Sequence, residues 1–205
     1  MSNWHKQAIE STKIRNAGDG ESNYSEALSI ELFIRFGCTN IKYEMQVEYR
    51  EYRPRDDPDF DESHHRSSGH LGDFACSLPD SSLALVSVSR VYPYVVDMTY
   101  QDYIKMDDDK KLMFEPYDDG YRRCVALPYC VYHLEHKVSG LLKAFNGLKN
   151  RERYSMAFHH EFVSSVEHAR TMEEACRIIK RSMKLPNYVR VIVHITGDQR
   201  VFSNK

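Results

Sequence analysis

Apolar and polar residues alternate most regularly between Ile41 and Arg50, where Ile41, Tyr43, Met45, Val47 and Tyr49 share one parity and Lys42, Glu44, Gln46, Glu48 and Arg50 the other. A two-residue period marks a strand with one buried face, so a strand is expected over 41–50. Upstream, from Ser25 to Phe36, SEALSIELFIRF follows the helical period, with Asn23 or Ser25 available as N-cap and Gly37 placed to end it. On this helix Glu31 and Arg35 form an i,i+4 pair on the narrow polar side, whereas Glu26 falls among Ile30, Leu32 and Phe33. Glu26 is therefore expected to point inward.

Residues 53–71 hold Pro54, Pro58, a run of acids and three histidines without apolar periodicity, which predicts a long loop. Two short strands, Asp73 to Leu78 and Leu83 to Tyr92, follow as a hairpin around Pro79-Asp80-Ser81. Between Asp97 and Gly120 the pattern predicts a short helix and exposed connections. The longest helix is expected at 128–149, where Val131, Leu134, Val138, Leu141, Leu142, Phe145 and Leu148 recur at i, i+3, i+4 and i+7, with Lys137 at the edge of the stripe. A strand near Tyr154 to His159 precedes a helix from Met172 to Met183, opened by the capping box Thr171-x-x-Glu174, and Val189 to Thr196 forms the last strand. The order predicts an α/β fold with a mixed central sheet flanked by helices.

Composition sharpens this picture. A chain of 205 residues that is 41% hydrophobic and 28% charged supplies a real core, which excludes disordered and collagen-like classes. One domain is expected over 23–205, preceded by an N-terminal arm over 1–22. No run approaches the roughly 18 apolar residues of a membrane span, and Met1 to Gly18 is too polar for a secretory signal. Five scattered cysteines suit free thiols in a reducing compartment. The expectation is a soluble intracellular protein, cytoplasmic or nuclear, with no membrane association. The net charge of −2 hides an asymmetry: residues 1–120 hold 13 basic against 23 acidic residues, a net of −10, and residues 121–205 hold 15 against 7, a net of +8. A basic half of this kind suits a phosphate backbone, and equally the solvated faces of ordinary helices.

Chemistry enters with Glu26, then Gly72-Asp73, then the strand Val86-Ser87-Val88-Ser89-Arg90. An inward helix glutamate, an aspartate opening one strand and small polar residues alternating on the next is the layout of a metal-dependent phosphodiesterase, in which carboxylates anchor a hard divalent cation beside the scissile phosphate. In this order of elements the sequence resembles the PD-(D/E)xK nuclease superfamily, with its restriction-endonuclease-like core, over Asn23 to Arg90 for the site and Tyr129 to Thr196 for the remainder. The resemblance implies a nucleic-acid-acting protein, with Glu26 and Asp73 as catalytic acids and ligands for Mg²⁺ or Mn²⁺. Where the family has E-x-K this chain has Ser87-Val88-Ser89, so the second sheet carboxylate and the usual lysine are missing. Lys137 takes the place of the lysine, and Arg90, Lys143 and Lys149 are the candidates for binding nucleic acid. The function expected is a nuclease or its catalytically weakened derivative. The alternative is a pseudo-nuclease, or a protein–protein interaction or regulatory factor whose acidic front and basic back bind partners.

Three other groups carry weaker signals. His64, His65 and His70 in the long loop match no ligand spacing. Cys124, Cys130, His133 and His136 look like a zinc quartet, but helical geometry puts Cys130 and His133 on one face and His136 on another, and Cys130 borders the apolar stripe, so a buried thiol with surface imidazoles is expected. His159-His160-Glu161 offers a general base, with no accompanying nucleophile.

Overall fold

A computed structural model of the chain describes residues 5–9, 23–43, 47–49, 72–91, 101, 104–106, 111, 114–117, 120–123 and 127–202. Helix α1 (Asn23–Arg35) ends where Gly37 adopts φ 89°, a conformation open to a residue without Cβ. The N–H groups of Gly37 and Cys38 then close back on the carbonyls of Ile34 and Phe33. The expected pair forms, with Arg35 Nε 2.7 Å from Glu31 Oε1. Glu31 is nevertheless buried, because the backbone N–H of His5 also donates to its Oε2 at 2.7 Å. The described part of the N-terminal arm thus docks on α1, and Tyr43 Oη ties it to the next strand by donating to the carbonyl of Gln7.

The strands are β1 (Thr39–Tyr43), β2 (Phe74–Ser77), β3 (Leu83–Arg90), β4 (Phe114–Tyr117), β5 (Gly120–Arg123), β6 (Tyr154–Val163) and β7 (Val189–Ile195). Five of them form one mixed sheet in the order β1-β2-β3-β6-β7, and β4 with β5 makes a separate hairpin. β1, β2 and β3 are an antiparallel meander, while β3, β6 and β7 run parallel. Parallel neighbours need long crossovers, and two helices provide them: α2 (Leu127–Gly147) between β3 and β6, α3 (Val166–Ser182) between β6 and β7.

The pleat sends alternate residues to opposite layers. Leu85, Ala157 and Val189 pack with Leu134, Val138 and Phe145 of α2 and with Met172 and Ile179 of α3. Phe74, Val86 and Ala84 pack with Ile30 and Phe33 of α1 on the other side. The mixed α/β architecture with flanking helices is therefore as expected. No helix among the described residues is long and apolar enough to cross a membrane.

Four elements differ from the sequence reading. The strand expected over 41–50 ends at Tyr43, and the described part of its continuation leaves the sheet, with Tyr49 bridging to Leu148 beyond α2. β6 runs on to Val163 instead of stopping at His159, because its polar triplet is buried between strands. α3 begins at Val166, capped by the Ser165 hydroxyl accepting from the His168 N–H. Thr171 lies inside that helix and its hydroxyl donates to the Glu167 carbonyl, which satisfies the side chain but caps nothing. Between Asp97 and Gly120, residues 101, 104 and 111 are helical, but the stretch from 114 onward is the β4–β5 hairpin. The loop over 53–71 with His64, His65 and His70, and Cys124, lie outside the described residues.

Candidate metal centre

Parallel pairing of β3 with β6 sets Ser87 beside His159 and Ser89 beside Glu161. Both strands alternate, so all four side chains face the layer that carries α2. From α2, His133 reaches down to them: its Nε2 lies 3.0 Å from Glu161 Oε2. His159 Nε2 lies 2.9 Å from the same oxygen, and the Ser89 hydroxyl donates to it as well. Ser89 Oγ is in turn 3.1 Å from His159 Nε2 and 3.3 Å from His133 Nε2. His159 and Glu161 are fully buried, and the His133 side chain keeps 13% of its exposure.

The result is lopsided. Three donor groups converge on Glu161 Oε2, while Glu161 Oε1 and His159 Nδ1 are buried with no hydrogen-bond partner. Burial alone drives a carboxyl upward, but the charges and hydrogen bonds of His133 and His159 outweigh it and hold Glu161 well below the ordinary carboxylate range. Its negative field reaches α3, where burial first and the charge of Glu161 second push the Cys176 thiol up to about 12. The group His133, His159 and Glu161 could hold a metal ion, its three ligand atoms lying within 4.8 Å of one another. A serine-hydrolase reading fails on geometry. In such a triad the acid bonds the imidazole nitrogen remote from the serine, and here Glu161 engages the same Nε2 that faces Ser89.

Across the sheet the adjacent residue meets a different environment. His160 faces α1, with its Nδ1 2.7 Å from Ser29 Oγ, its ring 5.6 Å from that of His194, and its Nε2 buried without a partner. Burial, with repulsion from His194 and His159, lowers its pKa to about 3, so it is neutral at physiological pH.

Compared with family models, with curated proteins and with solved structures, the chain matches none of them.

The residues singled out from the sequence are distributed over the molecule. Glu26 is buried on the α1 layer. Asp73 precedes β2, with its Oδ2 accepting from the Val88 N–H at 2.6 Å, so it caps the edge of β3 where β2 has ended. Gly72 is held there by close approach, since a Cβ at this position would come within 2.6 Å of Leu85. Lys137 is half-buried on α2, one turn beyond His133 toward the amino ends of the strands, on the layer opposite Glu26. Glu26 and Lys137 therefore approach the sheet from opposite faces. Arg90 bonds Ser25 Oγ of α1 at 3.2 Å. Lys143 and Lys149 are exposed, Lys149 beside Glu48 at 3.4 Å. On α2 Cys130 is buried and His136 exposed as expected, but His133, expected as a surface imidazole, turns to the sheet, where the buried Glu161 carboxylate draws it in. The sequence reading weighed His159 and Glu161 without pairing them with His133. The available signal was their spacing of two, which on a strand puts both on one face.

Proposed function

We propose that this chain is a nucleic-acid-binding protein built on a restriction-endonuclease-like core, a catalytically weakened derivative of the nuclease class. What supports the architecture is the succession of helix, three-stranded meander, helix, strand, helix and strand, in a sheet whose spatial order follows the chain and in which β2 alone runs against the rest. What supports weakened chemistry is the ligand set. Mg²⁺ takes about six oxygens in near-octahedral geometry, and Ser87 and Ser89 stand where a carboxylate would be needed. One Asp73 oxygen is engaged by the Val88 N–H, and Glu26 and Lys137 are on opposite layers. These residues do not fit a Mg²⁺ or Mn²⁺ site, and no hydrolytic step is assigned to them.

The observation that carries nucleic-acid binding is the concentration of positive charge at one end of the sheet. Both crossover helices return to the amino ends of β6 and β7, and they deliver Lys149, Arg153, Arg181, Lys184 and Arg190 there, all exposed. From Ala175 to Gly197 the chain has five basic residues and no acid. Arg151 is fixed among them, its guanidinium 3.7 Å from the centre of the Phe145 ring. Lys143 is exposed one turn before the end of α2, whereas Arg90 lies at the carboxyl end of β3. Fixed cations spaced along an edge suit a phosphate backbone, and binding of that kind weakens steeply with salt.

Fluorescence anisotropy with labelled single- and double-stranded DNA and RNA tests the reading. The expected result is an affinity that falls with salt concentration, with the log–log slope reduced by about one for each phosphate-contacting cation removed among Arg181, Lys184 and Arg190. Binding that is absent at low salt, or that survives reversal of all three charges, would refute it. Cleavage is not expected on addition of Mg²⁺ or Mn²⁺, and cleavage abolished by Asp73→Asn would restore the nuclease proper.

A further inference from the structure

We infer that His133 Nε2, His159 Nε2 and Glu161 Oε2, with the Ser89 hydroxyl, form a binding site for one transition-metal ion of the Zn²⁺ class. The inference stands apart from nucleic-acid binding, since it uses residues toward the carboxyl ends of β3 and β6 and none of the exposed cations at the amino ends.

Geometry is the first argument. A tetrahedral ion with bonds of about 2.0–2.1 Å keeps its donors about 3.3 Å apart. The separations here are 3.0 Å from His133 Nε2 to Glu161 Oε2, 2.9 Å from His159 Nε2 to the same oxygen, and 3.1 and 3.3 Å from Ser89 Oγ to the two imidazoles. A few tenths of an ångström of expansion along these edges, with a larger opening between Ser89 Oγ and Glu161 Oε2, which share a short hydrogen bond, converts the cluster into a coordination shell. The donors come from three separate elements whose positions are fixed by the core, so the site is built before an ion arrives.

The pattern of satisfaction is the second. Three groups point at one carboxylate oxygen while the other oxygen of the same buried carboxylate has no partner. A hydrogen-bond network free to relax would distribute its donors over both oxygens. The convergence gathers the two Nε2 atoms, the Ser89 hydroxyl and Glu161 Oε2 into one cluster, small enough for a single cation to replace the protons they share. His159 Nδ1 has no partner either, so no hydrogen bond opposes a shift of the ring proton from Nε2, where it faces Glu161, to Nδ1, and that shift frees the Nε2 lone pair for a metal.

Donor chemistry selects the ion. Two imidazole nitrogens and one carboxylate oxygen suit Zn²⁺, Co²⁺ or Fe²⁺ and give Mg²⁺ or Ca²⁺ too few oxygens. His133, the most exposed member, marks the side from which the ion enters and exchanges.

The experiment uses the full chain, stripped of metal with a chelator and titrated with Co²⁺ or Zn²⁺ while visible absorption, calorimetry and thermal unfolding are followed. One equivalent of Co²⁺ is expected, with the absorption of a tetrahedral ion, together with an unfolding midpoint that rises with Zn²⁺ concentration. His133→Ala, at the partly exposed position, should weaken uptake at least tenfold, about the size of effect seen when groups that support a metal site are lost. Asp73→Asn should take up metal as the parent does. The inference is overturned if the stripped protein takes up neither ion, if His133→Ala binds as the parent does, or if equimolar Mg²⁺ displaces Zn²⁺.

Discussion

His159 and His160 are neighbours in the chain and inhabit different chemistries. His159 faces α2, hydrogen-bonded at Nε2 to a buried carboxylate and a hydroxyl. His160 faces α1, bonded to Ser29 among Phe33, Phe162 and His194, and its imidazole is kept neutral. The pleat alone makes this separation, since each step along a strand changes the layer. A run of three polar residues inside a central strand is thus two sites: His159 and Glu161 form a charge-centred one, and His160 a desolvated one on the reverse. The α2 face concentrates an anion with converging donors, and the α1 face keeps the His160 imidazole uncharged.

The most severe test of that contrast is Glu161→Leu. Removing the anion leaves His133, His159 and Ser89 with buried donors and no common acceptor, a loss expected to cost about 3–5 kcal/mol, as for breaking a buried pair. Chemical denaturation reads it directly. Should the variant unfold at the denaturant concentration of the parent, Glu161 does not organise this face and the difference between the two faces disappears.

Acid provides the next largest effect and separates the faces by pH. His160 has a folded pKa lowered from 6.5 to about 3, so the unfolded chain binds the extra proton throughout that interval. Stability must therefore fall as pH drops below 6.5, by up to about 1.4 kcal/mol per unit from this group. Burial also lowers the pKa values of His194 and His168, which act in the same direction. Glu161, whose folded pKa is likewise lowered from 4.5, loses its contribution only below that value. Between pH 6.5 and 4.5 the slope accordingly reports histidines, with His160 foremost. His160→Gln should flatten unfolding free energy in that interval and leave the decline below pH 4.5 in place. A slope in the upper interval unchanged in His160→Gln would mean that the α1 face does not exclude the proton.

Much of the scaffold was legible because period and burial agree. The stripe of Leu134, Val138, Leu141 and Phe145 on α2 and the alternation of β3 both meet a packed layer, so pattern predicts position. Legibility fails where a polar residue is buried. The strand at Tyr154 reads as ending at His159 because hydropathy treats His-His-Glu as a loop, and only the pairing of β6 with both β3 and β7 explains its interior place. The start of α3 is masked in the sequence because Thr171 and Glu174 imitate a cap that Ser165 in fact provides six residues earlier. The regular alternation of 41–50 persuaded for the opposite reason. Alternation describes a face to be covered, and the partner strand β2 is only four residues long, so pairing stops at Tyr43. The metal-competent group is not legible as a unit because its ligands are 26 residues apart in the chain, from His133 to His159, and meet only when the α2 crossover packs back on β6, which no local pattern records.

The smallest expected effect is also the most direct measure of whether the faces are independent. Ser29→Ala removes the one hydrogen bond to the His160 ring, and His133→Ala removes one donor to Glu161; each should cost about 1–3 kcal/mol, the penalty for a buried group left unsatisfied. The sheet lies between them, and no hydrogen-bond partner is shared. Substitutions of that kind add to within about 0.5 kcal/mol, so the double variant should lose the sum of the two single losses. A larger coupling would mean that β6 transmits strain from Ser29 through His160 to His159 and Glu161. The two environments would then be one network read from opposite sides, and metal uptake at His133 would have to respond to a serine on the far helix.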